Sequence, residues 1–154
     1  MPEVGESAPD FALQDNRGET VTLSGLRGKT VVLFFYPKAD TPGCTIEACG
    51  FRDAHADFDS ANVVLLGISP DTVKAQSKFV DKFGLPMQLL ADADHAVAEK
   101  FGVWVEKSMY GRPYMGVSRE TFLIDPEGKI RHVFQKVKPE GHAAEVLAAL
   151  KESD

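Results

Sequence analysis

The chain has only two cysteines and one tryptophan among 154 residues. Two cysteines cannot build the disulfide framework of a small secreted scaffold, and in a reducing compartment such a pair more often does redox, catalytic or metal chemistry. Long apolar runs are also missing. The longest, Val31 to Tyr36, is far too short to cross a bilayer. The opening Met1-Pro2-Glu3-Val4-Gly5-Glu6 offers neither a positive segment nor an apolar one, so no secretory leader is expected and the chain reads as cytoplasmic. Lys and Arg form no cluster and the formal net charge is -6, which argues against nucleic acid or an anionic membrane as partner. Internal repeats, low-complexity tracts and linkers are absent, so one domain spanning residues 1–154 is expected.

What is present is ordinary globular composition, with 44% hydrophobic residues, enough to bury a core. Phe11 to Gln14 and Val21 to Leu23 read as a short N-terminal hairpin about Asp15-Asn16-Arg17-Gly18, followed by a turn or helical bend over Ser24 to Lys29. Thr30 to Tyr36 is β-branched and aromatic without polar alternation, the pattern of a central strand buried on both faces. Ile46, Ala48, Phe51, Ala54, His55 and Phe58 recur at helical spacing and predict one helix between Thr41 and Phe58. Val63 to Ile68 is a second buried strand. Ser69-Pro70-Asp71 introduces a helix from Thr72 to Phe83, with Val73, Ser77 and Val80 inward, closed by Gly84. A short strand Gln88 to Leu90, a helix from Asp94 to Phe101 and a long loop or extended arm from Gly102 to Gly116 follow. Thr121 to Ile124 and Lys129 to Phe134 make a hairpin about Asp125-Pro126-Glu127-Gly128, and Glu140 to Lys151 is an amphipathic closing helix. A buried strand feeding a helix and then another buried strand predicts a parallel pair. The expected class is α/β, a central mixed β-sheet flanked by helices, with an N-terminal β-hairpin.

The chemistry concentrates in Tyr36-Pro37-Lys38-Ala39-Asp40-Thr41-Pro42-Gly43-Cys44-Thr45-Ile46-Glu47-Ala48-Cys49. A buried strand ends, a Pro/Gly loop follows, and a helix begins near Thr41 or Cys44. Cys44 then sits in the first helical turn, where free N–H groups and the positive end of the helix dipole favour a thiolate, the nucleophilic form of the side chain. Residues five apart on a continuous helix are offset by about 7.5 Å along the axis and about 140° around it. That exceeds disulfide geometry, so a Cys44–Cys49 bond would require this turn to unwind. Were Cys44 oxidised to a sulfenic acid, Cys49 could condense with it once the helix loosened.

Pro37, Thr41 and Cys44 match the Pro-x-x-x-Thr-x-x-Cys motif of the peroxiredoxins. Glu47 and Cys49 resemble the subgroup called bacterioferritin comigratory proteins, which carry both cysteines in one helix. Ser118-Arg119-Glu120-Thr121-Phe122-Leu123-Ile124-Asp125 resembles the strand that supplies that family's active-site arginine, and Gly5-Glu6-Ser7-Ala8-Pro9-Asp10-Phe11 its start. The resemblance implies a thioredoxin-like fold, peroxide as substrate, thioredoxin or a glutaredoxin-like dithiol as reductant, and neither metal nor organic cofactor. It gives Cys44 the peroxide-attacking role and Cys49 the resolving role. It further implies that Thr41 hydrogen-bonds thiolate and peroxide, that Pro37 shields the sulfur from water, and that Arg119 holds the thiolate and polarises the O–O bond. A resolving cysteine on the same helix needs no partner subunit, so a monomer is expected.

Other readings of these residues stand beside this one. A disulfide exchanger also uses two cysteines, but with Cys-x-x-Cys spacing rather than the four-residue gap found here. A redox sensor would change shape on oxidation without needing the threonine and arginine. A zinc site of Cys44, Cys49 and His55 lacks the usual spacing and a fourth ligand. Glu47 reads as a carboxylate suited to a helix start, and His55, His95, His132 and His142 as surface or partly buried. The aromatics Trp104, Tyr110 and Tyr114 read either as a docking surface or as folded back on the domain.

Overall fold

Six residues without polar alternation dictate a strand covered on both faces, and Thr30–Phe35 (β3) is that strand at the centre of a seven-stranded sheet. The computed structural model describes residues 1–152; Ser153 and Asp154, the last two positions of the expected domain, lie outside the described residues. Val63–Ser69 (β4) pairs parallel with β3, and Glu120–Ile124 (β8) pairs antiparallel on its other side. Beyond β4 lie Gln88–Ala91 (β5) and the N-terminal hairpin Ala12–Gln14 (β1) and Thr20–Thr22 (β2), and beyond β8 lies Ile130–Phe134 (β9). The strand order β2-β1-β5-β4-β3-β8-β9 is the expected mixed sheet, with the parallel trio inside and antiparallel strands at both edges.

The pleat of β3 divides the core in two. Val32, Phe34 and Tyr36 point to a cluster roofed by Pro42–Asp53 (α1), His55–Ser60 (α2), Val73–Phe83 (α3) and His142–Glu152 (α5). Val31, Leu33 and Phe35 point to the other, closed by Ala96–Lys100 (α4) with Phe101 and by Phe11 and Leu23 of the N-terminal segment. In β4, Gly67 lies under the Phe34 ring. A methyl group there would come within 2.8 Å of Phe34 Cζ and 2.6 Å of Leu89 Cδ2, so close packing requires glycine.

Several elements depart from the reading of the sequence. The single helix expected over residues 41–58 is two, α1 and α2, separated at Ala54 (φ -96°, ψ 3°), and the break lets Phe58 pack on Phe51 at a centroid distance of 5.8 Å. Ile46, read as part of the apolar face, is 45% exposed. The buried stripe is instead Cys44, Glu47, Ala48 and Phe51, spaced i, i+3, i+4, i+7. In α3 the buried residues are Gln76 and Phe79, while Val73, Ser77 and Val80 are half-buried flanks. The α4 cap is mainly Asp92, whose carboxylate accepts from Val97 N and Ala98 N at 3.1 and 2.9 Å; Asp94 accepts from Ala96 N at 3.2 Å.

The arm expected over residues 102–116 is a second hairpin, Trp104–Met109 (β6) and Arg112–Val117 (β7), turned by Tyr110 and Gly111, both at positive φ (52° and 78°). Two positive-φ residues are what a tight hairpin needs, and Tyr there is uncommon enough to hide the turn. Tyr110 is 98% exposed at its tip, whereas Trp104 at its base stacks on His95 at 3.8 Å. His142, read as surface or partly buried, is buried between Phe51 and Phe134 and bonded to Thr121 Oγ1 and Glu145.

Candidate functional site

The carboxyl end of a buried strand beside a helix N-terminus is where an α/β sheet offers free backbone donors. Here β3 ends at Phe35, the loop Tyr36–Thr41 follows, and α1 begins at Pro42 with Thr41 as N-cap. Pro42 suits this start, having no N–H to leave unpaired. Cys44 is the third residue of α1 and only 2% exposed. The β3–β8 register ends at Phe35↔Glu120, which sets Arg119 one residue further along, level with the start of that loop.

Arg119 closes the site from above. Its Nη2 donates to Cys44 Sγ at 3.4 Å and its Nη1 to Glu47 Oε1 at 2.7 Å. Gly43 makes room for it, since a methyl group there would lie 3.1 Å from Nη2 and 3.5 Å from Pro139 Cγ. Burial alone would weaken the guanidinium's hold on its proton, but the charges on Cys44 and Glu47 and the hydrogen bonds to them outweigh it, so Arg119 stays firmly cationic. The carboxyl group of Glu47 shows the opposite balance. Its side chain is fully buried, and desolvation pushes its pKa up to about 7 against the pull of Arg119. Among the described residues, its Oε2 has no hydrogen-bond partner. Lys107 on β6 is a further cation in electrostatic reach, its pKa lowered by burial and by Arg119 and raised by Cys44.

Of the residues singled out in the sequence, Cys44 and Arg119 meet directly. Pro37 is half-buried in the preceding loop. Thr41 occupies the N-cap position, but its side chain bonds neither the first-turn N–H groups nor the sulfur; its hydroxyl donates to Lys38 O at 2.8 Å. Cys49 shares the unbroken α1 with Cys44, and both are free thiols. On regular helix geometry their Cα atoms stand about 8–9 Å apart, beyond the range of a disulfide. Cys49 lines an open groove of about 680 Å³ between α1 and α5, with Ile46, Pro139, Ala143 and Leu147. The sequence reading missed Glu47 as a partner of Arg119. The available signal was a carboxylate on the buried stripe, three residues after Cys44.

A buried sulfur at a helix N-terminus, facing a fixed guanidinium, is equipped to act as a thiolate nucleophile and to stabilise negative charge on a departing atom. Comparison with known proteins agrees with that chemistry. The AhpC/TSA family model matches residues 4–133. Peroxiredoxin Bcp of Bacillus subtilis (strain 168) is 49% identical over 150 residues, 97% of this chain and 96% of that one. Peroxiredoxin Bcp of Escherichia coli (strain K12) shows the same identity and coverage. A structure of the Xanthomonas campestris bacterioferritin comigratory protein, studied for its alkyl peroxide reduction activity, superposes with a TM-score of 0.92 at 39% identity, covering 98% of this chain and 99% of the other. The expected thioredoxin-like α/β fold therefore holds.

Proposed function

This chain belongs to the AhpC/TSA family and is a peroxiredoxin, a thiol-dependent peroxidase, and from that premise we propose a cycle run by its two cysteines on hydrogen peroxide and organic hydroperoxides. The Cys44 thiolate attacks one peroxide oxygen. An S–O bond forms, the O–O bond breaks, and the leaving oxygen takes a proton to depart as water or an alcohol. Cys44 is left as a sulfenic acid. Once the α1 turns between the cysteines unwind, the Cys49 thiol attacks that sulfur; an S–S bond forms and hydroxide leaves with a proton as water. A dithiol, thioredoxin or glutaredoxin-like, reduces the Cys44–Cys49 disulfide by exchange and is itself oxidised.

The observation that carries this reading is the 3.4 Å contact between Arg119 Nη2 and Cys44 Sγ. A guanidinium in that position favours the thiolate before attack and offers further N–H groups to the oxygen that becomes negative during it. Thr41 has a narrower role than the resemblance implies. With its own proton engaged by Lys38 O, its oxygen serves as acceptor for the peroxide O–H. Pro37 excludes water from the mouth of the site. Because both cysteines stand on α1, one chain suffices for the disulfide once the helix unwinds, which supports a monomer; the proposed compartment is the cytoplasm.

The decisive assay compares substrates. Thioredoxin-dependent consumption of hydrogen peroxide or an alkyl hydroperoxide, with little reduction of insulin disulfides, is the expected result. Fast insulin reduction with slow peroxide consumption would favour a protein disulfide exchanger. Stoichiometric oxidation without turnover would favour a redox sensor.

A further inference from the structure

A chain of hydrogen bonds, buried at Tyr36 and Gln76 and half-buried at Asp71, runs from the end of β3 to the loop that precedes Cys44. Tyr36 Oη donates to Gln76 Oε1 at 2.6 Å. Gln76 Nε2 donates to Ser69 Oγ and to Leu90 O, each at 2.8 Å. Ser69 Oγ donates to Asp71 Oδ2 at 2.6 Å, and the same Oδ2 accepts from Ala39 N at 2.8 Å. Tyr36, Gln76 and Ser69 are each no more than 1% exposed. Burial keeps the Tyr36 phenol protonated, so the direction of the chain is fixed from donor to acceptor. One branch stops at Leu90 O; the other ends at Asp71, whose Oδ2 accepts two donors.

This chain ties together the carboxyl ends of β3, β4 and β5 with α3. Through Ala39 it reaches the loop of Pro37 and Thr41. Tyr36 N bonds Ile68 O at 3.0 Å on one side of that loop, and Thr45 N bonds Thr41 O at 2.8 Å on the other. Between them, among the described residues, Ala39 N is the backbone group tethered to another element. The loop also has an exposed contact, Asp40 with Lys82 at 2.9 Å, of the kind that contributes little in water. Asp40 has φ 58°, so the loop is bent through an unfavourable backbone conformation that something must hold.

We propose that Asp71 is a positioning residue for the peroxide step: by holding Ala39 N–H it sets the loop carrying Pro37 and Thr41 relative to Cys44, and the Tyr36–Gln76–Ser69 chain holds Asp71. The proposal rests on the peroxidase reading above and adds residues that, among the described residues, make no hydrogen bond to the sulfur. Its requirement is an acceptor oxygen rather than a charge. Asparagine, with its carbonyl oxygen in place of Oδ2, can accept both donors; alanine can accept neither.

The test uses the full chain in a Cys49→Ser background, where oxidation stops at Cys44. Two rates are followed by mass spectrometry: oxidation of Cys44 by hydrogen peroxide and its alkylation by iodoacetamide. Alkylation needs the thiolate but not the peroxide-binding loop. Asp71→Ala should slow oxidation by about tenfold or more, as expected when reacting groups are misplaced, and leave alkylation nearly unchanged. Asp71→Asn should restore oxidation, and Lys82→Ala should alter neither rate. If Asp71→Ala fails to fold, Ser69→Ala, which frees Asp71 from its buried support, should show the same split more weakly. An unchanged oxidation rate in folded Asp71→Ala, or in Ser69→Ala where that must stand in, would overturn the role of Asp71 alone. So would equal loss of both rates without rescue by Asp71→Asn. Failure of the unmodified Cys44 to oxidise at all would overturn the peroxidase reading, and this role with it.

Discussion

The two cysteines share one helix but not one environment. Cys44 lies on the buried stripe of α1 beside Glu47, 2% exposed and touched by a guanidinium. Cys49, further along, is half-buried on the flank and opens onto the groove between α1 and α5. The first position favours a fixed, desolvated nucleophile whose charge is balanced before a substrate arrives. The second favours movement, because exposed Ile46 and the open groove leave this flank of the helix lightly packed. In the proposed cycle, one continuous helix divides two successive steps between a tightly packed turn and a more open one.

Substitutions should separate these regions by their effect on the first oxidation. Cys44→Ser should have the largest effect, leaving no more than a trace of peroxide consumption, because a hydroxyl is a far weaker nucleophile at neutral pH; stopped-flow peroxide assays read this directly. Arg119→Ala should follow, with a loss of about 2–4 kcal/mol of transition-state stabilisation, as when an oxyanion donor is removed. An unchanged rate there would erase the electrostatic distinction between the two turns.

Glu47→Gln should act more gently on rate, by about 1 kcal/mol, since an amide oxygen can still accept from Arg119. Its clearer signature is in stability. The folded chain holds a proton on Glu47 up to about pH 7, whereas an ordinary carboxyl releases it near 4.5. The unfolded state therefore binds fewer protons between those values, and this group makes stability fall as pH rises through that window. The fall is on the order of 3 kcal/mol. Urea denaturation at pH 4.5, 6 and 7.5 should show the decline in the unmodified chain and a flatter profile in Glu47→Gln. Cys49→Ser should change the first oxidation least of all. It should spare sulfenic acid formation, raise labelling by a sulfenic-acid probe, and stop recycling by thioredoxin.

Most of the sheet was legible because β-branched and aromatic runs such as Thr30–Phe35 and Val63–Ser69 admit few alternatives, and the hairpin about Asp125 carried strong turn residues. The β6–β7 hairpin escaped notice because its turn uses Tyr110, and the break at Ala54 because alanine gives no stop signal. At the site, the motif located Cys44, Thr41 and Pro37, and the strand resemblance located Arg119. What no local pattern carries is the pairing across the fold: Glu47 with Arg119, and Asp71 with Ala39, each join residues more than thirty positions apart in sequence. Such contacts exist only once β3, β4 and β8 are in register. Composition counts a buried Glu as polar surface, and so Glu47 read as a simple helix-start carboxylate.

The most direct test is the intact mass of the reduced chain after one equivalent of hydrogen peroxide, followed by peptide mapping without reductant. The expected product is a monomer lighter by two hydrogen atoms, with Cys44 and Cys49 in one disulfide-linked peptide. A disulfide-linked dimer, or a lasting gain of one oxygen with Cys49 still alkylatable, would contradict the division of labour along α1.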